Sequence, residues 1–444
     1  MAKLFGTDGV RGVANTELTP ETALNLGRAA AALLRKDGER PVFVVGKDTR
    51  ISGDLLEAGL CAGLCSAGAE VWHLGVVPTP AVAWLARELG AVAGVVISAS
   101  HNPMADNGIK FIGGNGYKLS DDLERRLEQA ALGDPGSLPR PGGKDVGRIF
   151  DRTGEITRYL EHVKATATKT SLQGLKIVVD CANGAASDFT PKLLQELGAD
   201  VVPLFNHPDG TNINHQCGST HLETLRRQVP ALRADLGLAH DGDADRLLAV
   251  DEEGNIVDGD QIMVACALEL KKQLALAQNS VVATVMSNLG LFKTLEAAGI
   301  NVVTTRVGDR YVLEELLRTG AVLGGEQSGH IIFLEHNTTG DGLITALQLL
   351  KVMVESQRSL KELGALMPKY PQLLQNIPVT DKEHWQENRA LVEAINRAEE
   401  RLGNRGRVLV RPSGTEPLLR IMLEGPDLDE LQSLMAELIG TISA

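Results

Sequence analysis

The stretch VVISASHNPMADNGIKF, residues 95–111, decides how the chain is read. An apolar run suited to a buried strand stops at Ser98, Ser100 and His101. It then continues through Asn, Pro, Asp, Asn and Gly to Lys110. Asn, Pro and Gly make turns, but a turn has no need of a Ser-His pair. Open α/β sheets bind ligands beyond the carboxyl ends of their strands, and that is where this pair sits.

Working outward, the same unit recurs. PVFVVG (41–46), GAEVWHLG (68–75) and AGVVISAS (93–100) read as strands separated by helical stretches. GLKIVVD (174–180), GADVVPL (198–204) and LGLAHDGD (236–243) form a second copy. SVVATV (280–285), GINVVTT (299–305), the helix RYVLEELLRTG (310–320) and AVLGGEQSGH (321–330) form a third. Val/Ile-rich runs of this kind suit parallel strands covered on both faces, joined by right-handed crossovers. The last strand of each copy ends in a polar loop: SASHNP, DGDADR, GEQSGH. Three equivalent loops predict three domains converging on one cleft. LGDPGSLPRPGG (132–143) reads as a surface connection, and EEGNIVDGD (252–260) as the separator of copies two and three. After about Pro368 the pattern changes to NIPVT, a charged helix near 383–402, RVLVRPS, LLRIMLEG and a last helix that Asp427 and Glu430 suit as a cap. The fold expected is α/β. Three related domains, 1–150, 151–253 and 254–367, have mixed, mainly parallel sheets flanked by helices; a smaller α+β domain, 368–444, completes the arrangement around a central cleft.

The 444 residues exceed one compact core. No apolar run of about 20 residues occurs, so no membrane span is expected. MAKLFGTDGVRG lacks the apolar centre of a signal peptide, so a cytoplasmic protein is expected. The formal charge of −13 argues against sequence-independent nucleic-acid binding, which needs basic surface. An anionic small-molecule substrate would need a locally positive cleft. Five cysteines without paired spacing argue against a disulfide framework or a zinc site.

DGDADR places Asp241, Asp243 and Asp245 one residue apart. Carboxylates so close repel one another and need a cation or raised pKa values; oxygen-only ligands select a hard cation such as Mg²⁺. An EF-hand also opens D-x-D-x-D, but Arg246 stands where that loop demands glycine, and both flanks read as strands. Ser100 is the candidate nucleophile or phosphoryl carrier. No G-x-S-x-G elbow surrounds it, against a hydrolase triad. A phosphoserine there would carry about −1.5 to −2 charges and could supply a further oxygen to a metal on the three Asp. Ser98 reads as structural. In GEQSGH, Glu326 and Ser328 suit vicinal sugar hydroxyls, and His330 could move protons near neutral pH. RPSGTEPLLR offers Arg411, Ser413, Gly414, Thr415 and Arg420 as a phosphate cradle. FGTDGVRG and GKDTRISG add Arg11, Lys47 and Arg50, read equally well as charged turn residues.

Together these stretches resemble the α-D-phosphohexomutases, over essentially the whole chain and in that family's order. FGTDGVRG, Gln327 and Gly414 look most like its bacterial amino-sugar branch; the mannose and glucose branch more often carries Met and Asn at the last two positions. The resemblance implies that Ser100 is the phosphorylated serine, with His101 beside it. Asp241, Asp243, Asp245 and one phosphoserine oxygen would hold a single Mg²⁺. Lys110 and His330 would be the acid/base candidates, with Arg11 and Arg246 near the transferring group. Glu326 and Ser328 would bind sugar hydroxyls. Arg411, Ser413, Gly414, Thr415 and Arg420 would hold the phosphate that is not reacting. The implied reaction interconverts glucosamine 6-phosphate and glucosamine 1-phosphate through a sugar 1,6-bisphosphate, which is both intermediate and activator. It feeds UDP-N-acetylglucosamine and the cell wall. Closure of the last domain over the cleft is expected to exclude water. The rival readings are a sibling mutase for mannose or glucose phosphates, a metal-dependent phosphatase and a non-catalytic sugar-phosphate sensor. The sequence leaves open whether an activating kinase or autophosphorylation first charges Ser100, and whether the chain forms a homodimer.

Overall fold

The computed structural model describes residues 4–6, 8–35, 39–168, 170–379, 384–412 and 418–442. In the first copy, strand Val42–Lys47 lies between Glu70–Val76 and Ala93–Ile97, all parallel, joined by helices Ser52–Ser66 and Thr79–Glu88. In the second, Lys176–Asp180 lies between Asp200–Leu204 and Leu236–His240, with helices Thr190–Glu196 and Glu223–Ala231. In the third, Ser280–Thr284 lies between Asn301–Thr305 and Leu323–Gly325, with helices Leu289–Ala297 and Asp309–Thr319. Each copy therefore steps to one side of its first strand and returns on the other, which creates the switch point where α/β sheets open a crevice. The expected architecture holds: mixed, mostly parallel sheets flanked by helices.

Each third strand then doubles back into an antiparallel partner: Asp106–Gly113, Leu247–Asp251 and Ile331–Phe333. The polar loops are thus hairpin connections at a sheet's carboxyl edge. Only the partner after DGDADR has a strand pattern in the sequence. The partners in NGIKF and HIIF carry no strand pattern in the sequence, because one begins inside a polar motif and the other directly after one. Val10–Val13 extends the first sheet on the far side of Asp106–Gly113, setting Arg11 opposite Gly108. FGTDGVRG is thereby carried to the Ser100 loop.

Ile149–Asp151 adds to the other edge of the first sheet, beside Glu70–Val76, and so straddles position 150. EEGNIVDGD holds the last strand of the second sheet and leads into the helix that precedes the third copy. Leu247–Asp251 and Ile256–Val257 form a hairpin within the second sheet, and Asp258 then closes a capping box with Gln261 on helix Gly259–Lys272. Turn residues such as Gly254, with φ of +87°, look alike in a hairpin and a linker.

The chain divides into two compact units, Met1–Val285 with Ile300–Leu366, and Met286–Gly299 with Met367–Ala444. In the first, buried Phe43, Val45, Leu60, Ile97, Ile109 and Phe111 belong to one core that includes residues of helices Pro20–Leu33 and Ser52–Ser66. The second has an antiparallel sheet ordered Gln372–Pro378, Leu418–Glu424, Arg407–Pro412. Its core draws Leu391 and Ile395 from helix Arg389–Leu402, and Leu431 and Leu438 from helix Leu428–Ile442. Asp427 caps that last helix, accepting the N–H groups of Asp429 and Glu430. Helix Leu289–Ala297 belongs to this second unit: the Leu289 N–H donates to buried Glu424 at 2.8 Å. Among the described residues no helix is long and apolar enough to cross a membrane.

Candidate active site

Three loops of the first unit meet around a cavity of about 510 Å³. Asp8, Arg11, Ser100 and His101 line it from the first copy, Asp245 and Arg246 from the second, Asp309, Glu326 and His330 from the third. Ser100 stands in the left-handed region at φ 51°, a conformation that costs an L-residue roughly 1–2 kcal/mol. It is held there from several sides. The Ser100 N–H donates to Ser98 Oγ at 2.9 Å, and Ser98 Oγ donates to Asp48 at 2.6 Å. Buried Arg50 donates to Asp48 and to the carbonyls of Ser100, Asn102, Pro103 and Asp106. Asn214, from the second copy, donates to the Ser100 and Asn102 carbonyls. Arg50 therefore shapes the serine loop, and Ser98 is structural as expected.

Ser100 Oγ donates to Asp241 Oδ2 at 2.6 Å and lies 3.3 Å from His101 Nδ1. Asp241, Asp243 and Asp245 are buried, with one carboxylate oxygen from each within 4.8 Å of the others. Gly242 lets this happen, since a Cβ there would stand 2.7 Å from the Ser100 carbonyl oxygen. Burial, then Asp245 and Asp243, push the Asp241 carboxyl far above the usual carboxylate range. One oxygen of Asp243 and one of Asp245 are buried without a hydrogen-bond partner. Orphaned, mutually repelling carboxylate oxygens fit a divalent cation of the Mg²⁺ type.

Lys110 Nζ sits 3.1 Å from Asp243 and 3.0 Å from Asp8. Burial disfavours its charge, but Asp243 and Asp8 override that and hold its pKa well above the ordinary value. Asp8 also pairs with Arg11 and lies 3.6 Å from Lys118. Burial opposes its ionisation, yet Lys110, Lys118 and Arg11 keep its carboxyl well below the normal range. Thr79 Oγ1 donates to Asp243 at 2.7 Å. Arg246 lies 3.9 Å from Asp241 and 3.8 Å from Asp245. Burial, then Arg246 and Arg11, lower the His101 pKa to about 4. His330 Nδ1 is 3.5 Å from Asp245, while the Gly340 N–H donates to Nε2 at 3.1 Å. Burial opposes a charge on this ring and Asp245 draws its pKa upward, but a doubly protonated ring would face the Gly340 donor with another. The neutral Nδ1–H tautomer satisfies both neighbours.

Glu326 lines the cavity and accepts the Gly308 N–H at 2.8 Å. Ser328 does not line it, and its Oγ is buried without a partner. Lys47 is engaged elsewhere, by Asp54 at 2.6 Å and by Glu57. In the second unit Arg411 and Arg420 stand opposite each other on adjacent strands; burial, then Arg420, lower the Arg411 pKa. Ser413, Gly414 and Thr415 lie outside the described residues. Sequence reading did not single out Asp8, Asp48, Thr79, Asn214 or Asp309. Asp8 and Asp48 lie inside stretches already flagged for their arginines; nothing local marks the others.

Family descriptions of phosphoglucomutase/phosphomannomutase match four consecutive segments: alpha/beta/alpha domain I at residues 2–134, domain II at 157–254, domain III at 258–370 and the C-terminal domain at 374–441. The chain belongs to the phosphoglucomutase/phosphomannomutase family. Two of its relatives are named phosphoglucosamine mutase: one from Desulforamulus reducens, 61% identical with both chains wholly covered, and one from Moorella thermoacetica, 59% identical over 99% of this chain and 98% of the other. A family protein of Burkholderia thailandensis superposes with a TM-score of 0.83 at 26% identity, covering 99% of this chain and 97% of that one. The N-acetylphosphoglucosamine mutase of Aspergillus fumigatus, solved with GlcNAc-6P and magnesium, superposes with a TM-score of 0.72. At 18% identity over 100% of this chain and 96% of the other, it speaks for the shared fold of this family alone.

Proposed function

We propose that the protein is a phosphoglucosamine mutase, an isomerase that interconverts glucosamine 6-phosphate and glucosamine 1-phosphate in the cytoplasm. One observation carries the mechanism: Ser100 Oγ, at a strand end lining the cavity, stands 2.6 Å from Asp241 in a buried three-carboxylate cluster. Full-length identity of 53–61% to proteins of that name supports the amino sugar as substrate.

On this reading the active enzyme carries a phosphoryl group on Ser100. Its phosphorus–oxygen bond breaks as the sugar's 1-hydroxyl oxygen bonds to phosphorus, giving the 1,6-bisphosphate and a free serine hydroxyl. The bisphosphate turns round, and Ser100 Oγ takes the 6-phosphoryl group, leaving glucosamine 1-phosphate. Such transfers need alignment and charge stabilisation more than covalent help. Asp241, Asp243, Asp245 and a phosphoserine oxygen would hold Mg²⁺, which supplies Lewis-acid stabilisation of the charge on the moving group. Lys110, Arg11 and Arg246 add fixed positive charge beside the same point. On this reading Glu326, which lines the cavity, orients the sugar, whereas buried Ser328 does not reach it; Arg411, Ser413, Gly414, Thr415 and Arg420 would hold the distal phosphate. The division at 150, 253 and 367 assigns one loop to each domain.

Turnover of the 6-phosphates of glucosamine, glucose and mannose, measured side by side, tests the substrate. Intact mass before and after treatment with glucose 1,6-bisphosphate tests the carrier. Preference for mannose, or stoichiometric release of inorganic phosphate, would defeat the reading.

A further inference from the structure

Glucosamine 6-phosphate differs from glucose 6-phosphate only at carbon 2, where an amine replaces a hydroxyl. An amine beside electron-withdrawing C–O bonds titrates near an α-amino group, about 7.7–8.0, so much of the substrate carries a positive charge at neutral pH. A cavity that removes water from that charge must pair it. The acids lining the cavity are Asp8, Asp245, Asp309 and Glu326. Asp8 is taken by Lys110, Lys118 and Arg11. Asp245 belongs to the metal cluster and also faces Arg246 and His330. Glu326 gives one oxygen to the Gly308 N–H and is assigned to sugar hydroxyls.

Asp309 remains. One of its oxygens accepts the Arg310 N–H at 2.7 Å. Among the described residues no lysine or arginine pairs with its carboxylate, and His330, which feels its charge, is engaged by Asp245. The nearby arginines are engaged elsewhere: Arg310 by Asp121 and Glu314, Arg306 over the Tyr311 ring at 4.0 Å. The placement is built rather than incidental. Gly308, at φ 131° and ψ 135°, turns the chain into helix Asp309–Thr319 through a conformation open to glycine, and its N–H ties the turn to Glu326. The acid assigned to sugar hydroxyls and the unpaired acid are therefore fixed to one another.

We infer that Asp309 pairs the substrate's 2-ammonium group and is the residue that selects amino sugars over neutral ones. The inference rests on the proposed mutase activity and deepens it. It is tested by the ratio of kcat/KM for glucosamine 6-phosphate to that for glucose 6-phosphate, in the wild type and in Asp309→Asn. Where glucose 6-phosphate turns over too slowly, its inhibition constant replaces kcat/KM. The ratio is expected to fall at least tenfold in Asp309→Asn, with most of the loss in KM for the amino sugar. Loss of folded protein cancels in a ratio taken on one preparation. Glu326→Gln, which removes a hydroxyl ligand, should lower both substrates together. A ratio unmoved by Asp309→Asn, in a wild type that prefers glucosamine 6-phosphate, overturns the role of Asp309 alone. A wild type that prefers glucose or mannose 6-phosphate overturns the activity reading itself.

Discussion

Arg50→Lys keeps the charge of the residue that shapes the serine loop and removes its fork. The guanidinium donates to Asp48 and to four carbonyls, those of Ser100 at 2.9 Å, Asn102 at 2.8 Å, Pro103 and Asp106 at 3.1 Å. Both Arg50 and Asp48 side chains are fully buried. A lysine can retain Asp48 and one or two of these acceptors, since its ammonium is a compact point charge. At least two of these carbonyls, buried or part-buried, then lose their charged donor, at roughly 1.5–3 kcal/mol for each hydrogen bond lost. The left-handed backbone at Ser100 stores roughly 1–2 kcal/mol that would be released if the loop relaxed. Restraint lost exceeds strain retained, so the loop shifts and takes Ser100 Oγ off Asp241. A displacement near 1 Å costs on the order of 10²-fold in rate. We expect kcat to fall about 100-fold with KM for glucosamine 6-phosphate little changed, followed by phosphorus NMR of the 6- to 1-phosphate conversion. A kcat within threefold of wild type, in a variant that melts normally, would refute the claim that Arg50 holds Ser100 in register.

Ser100→Ala should show no turnover and no phosphoryl adduct in its intact mass after treatment with the bisphosphate; measurable mutase activity would remove Ser100 from the carrier role. Mg²⁺ should raise the melting temperature of the wild type, because a ligand bound only to the folded chain stabilises it. Asp243→Asn should blunt that rise, and equal responses would place the ion elsewhere. His336 should titrate near pH 4: burial, then His162 and Lys351, lower its pKa to about 4 from 6.5. The unfolded chain therefore binds the proton first, and the stability this group contributes is complete above about pH 6.5 and lost as pH falls toward 4. An NMR midpoint near 6.5 for His336 would contradict this.

The three repeated units were legible because buried parallel strands must be written as continuous Val/Ile runs, which few other structures require. The returning strands Asp106–Gly113 and Ile331–Phe333 were not, because Asn107, Gly108 and Lys110, and His330 just before the other strand, carry site chemistry inside or beside the sheet. The membership of helix Leu289–Ala297 in the second unit was also hidden, since it depends on Glu424, 135 positions away. At the site, motifs announced their own residues but not their supports. DGDADR declares a metal-type cluster by charge alone; that Lys110 serves Asp243, or Asn214 serves the Ser100 carbonyl, is a product of folding that no spacing records.

The geometry also bears on a choice the sequence left open, between Lys110 and His330 as the group that handles the proton. His330 has Nδ1 toward Asp245 and Nε2 under the Gly340 N–H, so neither ring nitrogen is free to exchange with a sugar hydroxyl unless the 340 loop moves. Lys110 keeps its charge between Asp243 and Asp8, and an ammonium has three donors for those two acceptors. It can therefore donate toward an oxygen near the cluster without giving up either carboxylate. If Ser100 is the carrier, a permanently charged Lys110 meets what the step demands: negative charge gathers on the serine oxygen as its phosphoryl group departs, and a fixed cation stabilises that state more than the one before it. Asp8 then matters through Lys110 and Arg11, by holding both cations in place while its own charge keeps their mutual repulsion in check.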